Sequence, residues 1–298
     1  MPAVDALKRS LLAIPANERG LSAEAADSDA DEVVFDLEDS LAPGEKPAAR
    51  AALVDAVRDH DWDGTRVSYR INGTDTRWWY DDVIEPVTAV GDVVDTLVVP
   101  KVHDPSDVRA VATLLDGVET NAGLDPGTVG LAAQIETAAG MSSAIDIAQA
   151  SDRLVALVFG PADYAASVGA IKGTAEYPGH YWHYPLSRVA HAAAGAEVLA
   201  IGGPYTSAND PDGFEEACTH ERALGYDGKM VIDAEQVATA NEVFAPTAAE
   251  ARRARRIVRE YRRSDPDEVA AIDGKVIDRE TFRMADRILS KAEQADVI

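Results

Sequence analysis

Short apolar runs recur along the chain, each closed by polar or turn-forming residues. They occupy residues 10–15, 32–39, 66–72, 96–102, 130–136, 154–163, 197–204 and 226–233. Most are nearly continuous rather than alternating, the pattern of strands covered on both faces. Segments with helical spacing lie between them, among them 46–60, 105–115, 138–150, 211–224 and 234–244. Asp104-Pro105 and Asp210-Pro211 place a capping acid before a proline at two helix starts. Eight strand-and-helix units predict an α/β fold, a (β/α)₈ TIM barrel. A doubly wound open sheet fits less well. The first run ends in Ile14-Pro15-Ala16-Asn17 instead of a glycine-rich phosphate loop.

The repeat stops near Phe244-Ala245-Pro246. An arginine-rich helix follows over 248–263, with Thr247 as N-cap. Asp273-Gly274 between apolar residues reads as a turn or hairpin, and an amphipathic helix over 280–292 closes the chain. This predicts a barrel domain over 1–246 and a C-terminal helical lid and oligomerisation extension over 247–298.

Charge changes the picture of the surface. Acids outnumber bases 52 to 28 in 298 residues, a net charge of −24, and only seven of the bases are lysine. Dispersed negative charge repels phosphate, so nucleic acid is not an expected partner. An acidic, lysine-poor surface suits high salt, where repulsion is screened over a few ångströms, and suggests a halophilic source. No apolar run is long enough to span a membrane. Residues 1–5 show no basic segment leading into an apolar one, and the expected location is the cytoplasm. The single cysteine, Cys218, excludes a disulfide within the chain and a cysteine-based zinc site, and reads as a buried bystander.

Candidate chemistry gathers where the runs end. Strand C-termini form the active face of a barrel, and five of them end in charge: Asp36, Glu38 and Asp39; Arg70; Lys101; Glu136; and Asp163. Glu136 and Asp163 close neighbouring runs and offer two hard oxygen ligands to Mg²⁺, with Mn²⁺ a second option. Pairing with nearby bases or helix capping is the structural alternative for both. Arg70 is a rigid donor fork suited to a carboxylate or an oxyanion, or to an ion pair with Asp36, Glu38 or Asp39. Glu38 and Asp39 are placed to orient Arg70 or to hold metal-bound water. Lys101 admits a Schiff-base role or, amid so many acids, a structural ion pair. The six histidines show no triad-like or zinc-like arrangement. The aromatic stretch 177–184 either lines a pocket or packs its own loop.

Taken in order, these segments resemble the malyl-CoA lyase and citrate-lyase-beta-like family over nearly the whole chain. The resemblance rests on Arg9-Ser10-Leu11-Leu12-Ala13-Ile14-Pro15-Ala16-Asn17, on Asp36-Leu37-Glu38-Asp39-Ser40-Leu41-Ala42-Pro43 with Lys46, and on Arg70-Ile71-Asn72-Gly73. Val99-Pro100-Lys101-Val102, Gln134-Ile135-Glu136-Thr137, Phe159-Gly160-Pro161-Ala162-Asp163, Asp210-Pro211-Asp212-Gly213-Phe214 and Gly225-Tyr226-Asp227-Gly228-Lys229 continue it. It departs at Gly202-Gly203-Pro204, where the family usually has Asp-Gly-Pro, and at Ile232-Asp233-Ala234, where it usually has Ile-His-Pro. The resemblance implies a Mg²⁺-dependent acyl-CoA lyase. Glu136 and Asp163 match the metal ligands and Arg70 the arginine that steadies a thioester enolate. Asp278 matches an acid donated by a neighbouring subunit's C-terminal lid. Asn17, Arg19 and Pro204, with Arg70, are assigned to substrate and CoA. The implied reaction is reversible cleavage of β-methylmalyl-CoA or L-malyl-CoA to glyoxylate and propionyl- or acetyl-CoA, in a homotrimer or homohexamer with shared sites. Alternatives are a citramalyl-CoA lyase, a malyl-CoA thioesterase or malate-synthase-like enzyme, and a non-catalytic binding subunit.

Overall fold

The structure is a computed structural model that describes residues 7–170, 182–207, 209–264, 271–272 and 275–298. Eight parallel strands close into a barrel in sequence order: β1 (Ser10–Pro15), β2 (Glu32–Asp36), β3 (Arg66–Arg70), β4 (Val94–Val99), β5 (Gly130–Ile135), β6 (Leu154–Phe159), β7 (Leu199–Gly202) and β8 (Gly228–Val231), with β8 pairing back to β1. The expected (β/α)₈ TIM barrel is the fold observed.

The strands lack simple alternation because both faces are covered. Leu11, Val34, Val98, Ala132, Val158 and Ile201 pack inside the barrel. Leu12, Val33, Phe35, Leu97 and Leu157 on the opposite faces join the larger core beneath the helices. On the floor of the barrel Lys8 pairs with Glu32 at 2.6 Å and donates to Thr96 Oγ1, all three buried. The floor is thus closed by a buried, neutralised ion pair.

The helical layer comprises α1 (Arg19–Ala26), α2 (Lys46–Asp59), α3 (Trp79–Val90), α4 (Pro105–Ala122), α5 (Ala138–Ser142), α6 (Ala144–Ala148), α7 (Pro161–Val168), α8 (His183–Gly195), α9 (Pro211–Leu224) and α10 (Glu235–Phe244). Both expected proline starts are present. Asp104 and Asp107 form a capping box on α4, and Asp210 accepts from Gly213 N on α9. Helix α4 runs past its expected end at residue 115, until Gly123 turns left-handed with φ 79°. The helix expected over 138–150 is instead two five-residue helices that break at Ser143.

Beyond the barrel come α11 (Ala248–Arg263), the antiparallel strands β9 (Ala271–Ile272) and β10 (Lys275–Val276), and α12 (Arg279–Gln294). Thr247 caps α11 as expected. The turn residues Asp273 and Gly274 lie outside the described residues. Helices α11 and α12 share a small core of Ala254, Val258 and Ala285, and Tyr261 stacks on Phe282 at 4.5 Å. Arg287 and Lys291 of α12 both donate to Asp227, the buried residue just before β8. Gln294 shares a polar pocket with Leu7, Arg9, Asp31 and Arg66, at the starts of β1 to β3. The C-terminal half of α12 therefore lies under the N-terminal face of the barrel.

Candidate active site

The charged strand ends converge, but several side chains sit just past the strands. Asp36 and Arg70 end β2 and β3 and are register partners. Arg70 Nε and Nη2 donate to Asp36 Oδ1 and Oδ2, each at 2.8 Å, a bidentate fork. Asp36 also accepts from Glu38 N and Ser40 N, so one carboxylate shapes the turn after β2 and aims the guanidinium. Burial alone would raise Asp36, but the hydrogen bonds and charge of Arg70 hold it below the usual carboxylate range.

That turn carries Glu38 and Asp39, which the sequence reading placed on the strand itself. Glu38 Oε2 lies 3.1 Å from Arg70 Nη1, and Glu38 Oε1 accepts from Lys101 Nζ at 2.6 Å. Asp39 binds the same ammonium with both oxygens at 3.1 Å. Asp36 and Glu38 are thus the partners of Arg70, and Asp39 pairs with Lys101. Held by three carboxylate oxygens, Lys101 keeps its proton and is not the free amine that imine formation needs. Of its two readings, the ion pair is the one observed. Lys46 fastens the turn from behind. Its buried Nζ donates to Leu37 O at 3.1 Å and Glu38 O at 2.7 Å, with the Trp78 ring 5.3 Å away.

Glu136 follows β5 and is 1% exposed. Its Oε1 accepts from the Lys101 backbone N–H at 2.7 Å and its Oε2 from Gln134 Nε2 at 2.5 Å. Burial first, then the charge of Glu38 with a further contribution from Asp163, pushes Glu136 up to about 8, against the pull of Arg70 and the Lys101 N–H. Asp163 is not on a strand. The rigid Gly160-Pro161 pair ends β6 at Phe159, and Asp163 falls in the first turn of α7, half-buried.

The donor set fits a hard divalent cation. The charges of Glu38 and Asp163 both bear on Glu136, and Gln134 Oε1 is a buried acceptor without a hydrogen-bond donor among the described residues. A cation relieves both conflicts. Among the described residues no group of three or more His, Cys, Asp or Glu has metal-binding geometry. The pair Glu136 and Asp163 would therefore hold the ion with water and substrate completing its shell, the usual arrangement for Mg²⁺.

The remaining expected residues lie further out. Asn17 is exposed in the turn after β1, and Arg19 pairs across the surface with Asp55 at 3.0 Å. Pro204 is half-buried two residues past β7. Among the described residues none of the three forms a hydrogen bond or ion pair with Arg70 or Glu136. Asp278 caps α12, accepting from Thr281 N at 2.7 Å and Thr281 Oγ1 at 2.6 Å, and these bonds hold its carboxyl below the usual range. Residues 177–181 of the aromatic stretch lie outside the described residues, while Trp182 packs edge-on to Phe159 at 6.0 Å. Cys218 is buried and raised to about 12 by that burial, as befits a bystander. One contributor, Gln134, is absent from the expected site residues. Gln134 shares strand parity with Glu136, a signal available in the i, i+2 spacing. Asp36 reads in sequence as one acid among three, and only the register makes it the main partner of Arg70.

Gly202, where the family pattern has Asp, makes room for a buried ion pair. A Cβ there would overlap the carboxylate of Glu221 on α9, which holds Lys229 of β8 at 2.5 Å. The expected carboxylate at strand seven is thus absent from this chain, and an acid from the helical layer fills the same space.

The likeness to known proteins agrees with this geometry. The L-malyl-CoA/beta-methylmalyl-CoA lyase of Rhodobacter capsulatus is 35% identical over 99% of this chain and 98% of its own length. Citrate lyase subunit beta of Leuconostoc mesenteroides is 30% identical over 96% and 93%. Among solved structures, the Mycobacterium tuberculosis protein CitE in complex with magnesium, acetoacetate and coenzyme A superposes with a TM-score of 0.76. It is 26% identical, over 97% of this chain and 99% of that one. Residues 9–234, the barrel with its charged strand ends, match the family described as HpcH/HpaI aldolase/citrate lyase, and the chain belongs to that family.

Proposed function

We propose that this protein is a Mg²⁺-dependent acyl-CoA lyase that reversibly cleaves β-methylmalyl-CoA or L-malyl-CoA to glyoxylate and propionyl-CoA or acetyl-CoA. The observation that carries the reading is the Asp36-anchored Arg70 beside the buried acids at the C-terminal face of the barrel. Carbon–carbon lyase activity on a CoA thioester is the chemistry named for the relatives, and magnesium occurs in the neighbouring structures. The choice of substrate follows the malyl-CoA lyases, which are more similar to this chain than the citrate lyase subunits are.

Glu136 and Asp163 would hold the magnesium, which when bound would supply Lewis-acid polarisation that makes the substrate hydroxyl easier to deprotonate. As the bond between the hydroxyl-bearing carbon and the carbon next to the thioester breaks, its electron pair moves onto the thioester oxygen. Arg70 meets that charge. The fork to Asp36 fixes it in advance, so little reorganisation is needed when the charge appears. Glu38 keeps the guanidinium in plane and, with Asp39, holds Lys101. The enolate carbon then needs a proton, which we assign to the Asp278 carboxylate of a neighbouring subunit, loaded by the proton that leaves the substrate hydroxyl. On this reading residues 247–298 form a lid shared between subunits of a trimer or hexamer, and Asn17, Arg19 and Pro204 contact the CoA and substrate around the rim.

The test is direct. With Mg²⁺ and either acyl-CoA substrate, the wild type releases glyoxylate, and Glu136→Ala abolishes the release while leaving the fold intact by circular dichroism. Unchanged turnover in Glu136→Ala removes the metal reading. Free CoA appearing with malate indicates thioester hydrolysis instead of simple cleavage.

A further inference from the structure

Three non-glycine residues with positive φ occur among the described residues: Lys101 at 50°, Glu197 at 57° and Asp296 at 52°. Glu197 and Asp296 lie just beyond the ends of α8 and α12, where a left-handed residue is an ordinary helix termination. Lys101 has no such excuse. It follows β4 at the catalytic face, and a side chain with a Cβ is strained in that region.

The strain has a visible result. The left-handed turn aims the Lys101 N–H at Glu136 Oε1, 2.7 Å away, before Val102 N–H rejoins β5 through Gln134 O. The same residue sends its Nζ the other way, across β3, to Glu38 Oε1 at 2.6 Å and to both oxygens of Asp39. The second oxygen of Glu38 faces Arg70 Nη1. An unbroken chain therefore runs from Glu136 through Lys101 and Glu38 to Arg70.

We propose that Lys101 is a positioning residue that joins the two halves of the site, its main chain holding the metal carboxylate Glu136 and its side chain holding Glu38 against Arg70. The inference deepens the metal-dependent lyase reading and rests on it. The two roles separate by mutation because they use different atoms. Glycine adopts the left-handed region without a Cβ penalty and keeps the N–H in place. Valine resists that region and turns the peptide away. Methionine keeps the length of the side chain and removes the ammonium.

The experiment measures Mg²⁺ binding to the substrate-free protein by titration calorimetry, alongside kcat and KM. Lys101→Gly is expected to bind Mg²⁺ within about threefold of the wild type but to lose roughly tenfold or more in kcat, because Arg70 loses its alignment. Lys101→Met, with its side-chain ammonium gone, loses kcat similarly. Lys101→Val loses kcat and also binds Mg²⁺ more than about tenfold weaker. Equal Mg²⁺ affinity in Lys101→Val and wild type overturns the main-chain role, and unchanged kcat in Lys101→Met overturns the side-chain role. Should Lys101→Val not fold, Lys101→Asn replaces it, since asparagine tolerates the left-handed region; Mg²⁺ binding lost in Lys101→Asn and Lys101→Gly overturns the proposal. A wild-type protein that takes up no Mg²⁺ overturns the metal reading itself, a result distinct from these.

Discussion

Glu136 is buried among acids yet must ionise to hold a cation, and its titration exposes that conflict. Its ordinary value of 4.5 is raised to about 8, first by burial and then by the charge of Glu38. Between those values the folded protein holds a proton that the unfolded chain has lost. The sign follows: without metal, stability falls as pH rises from about 4.5 to about 8 and levels off above. As the proposed ligand of magnesium, Glu136 sets the ion in competition with the same proton. The affinity for magnesium should rise roughly tenfold per pH unit up to about 8 and flatten beyond, with close to one proton released per ion below that point. Titration calorimetry in buffers of different ionisation heat checks both, and an affinity flat from pH 6 to 8 sinks the assignment. The sequence announced Glu136 by its place after an apolar run. It gave no hint of Lys101's left-handed backbone, because φ at one residue is decided by the pairing of β4 with β5 around it.

Two connections decide the site at the level of elements. The turn after β2 is tied by Asp36 from the front and Lys46 from behind, so Glu38 and Asp39 hang from a fixed loop and not from a strand. At the end of β6, Gly160 lies against Glu136. A Cβ there would overlap both Oε2 and Cβ of Glu136, and the second cannot swing aside. Gly160→Ala should therefore lower stability by about 1–3 kcal/mol, the range for overpacking, and weaken Mg²⁺ binding as well. Thermal melts with and without Mg²⁺ read the two effects, and a variant with wild-type metal affinity contradicts the close packing described. Both connections were partly legible. The runs were visible, but apolar runs continue into polar turns without marking where the ladder stops, so strands 2 and 6 were expected to run three and four residues too far. The break at Ser143 was invisible because the helical spacing persists through it.

Charge divides the whole molecule unevenly. Residues 247–298 carry 12 of the 28 Lys and Arg but 11 of the 52 Asp and Glu, so the barrel bears essentially all the net negative charge. Self-repulsion of that kind weakens with ionic strength. The melting temperature should rise as KCl is added from low salt to molar levels, and a decrease would contradict the adaptation read from the sequence. The C-terminal helices pose the second question. Helix α12 is tied under the floor of its own barrel through Asp227, while Asp278 at its start caps the helix and is exposed. If sites are shared, mixing inactive Arg70→Ala and Asp278→Ala subunits restores activity at about a quarter of the sites, the fraction that random assembly leaves with both groups intact. No recovery after co-refolding rejects sharing. Among the described residues, no helix is long and apolar enough to cross a membrane, as expected from the runs.

The sequence by itself determined the barrel, since eight buried parallel strands need an apolar run each and a helix between each pair. It also determined which end carries chemistry, because Arg70, Lys101, Glu136 and the acids after β2 each close an apolar run, and a parallel barrel gathers those ends on one face. The tertiary structure decided the partnerships. That Asp36 grips Arg70, that Glu38 spans Arg70 and Lys101, and that a strained Lys101 main chain holds Glu136 all depend on register between strands 30 or more residues apart. Local sequence fixes dihedral preferences and faces. Pairing across the barrel fixes distances, and the proposed chemistry depends on those distances.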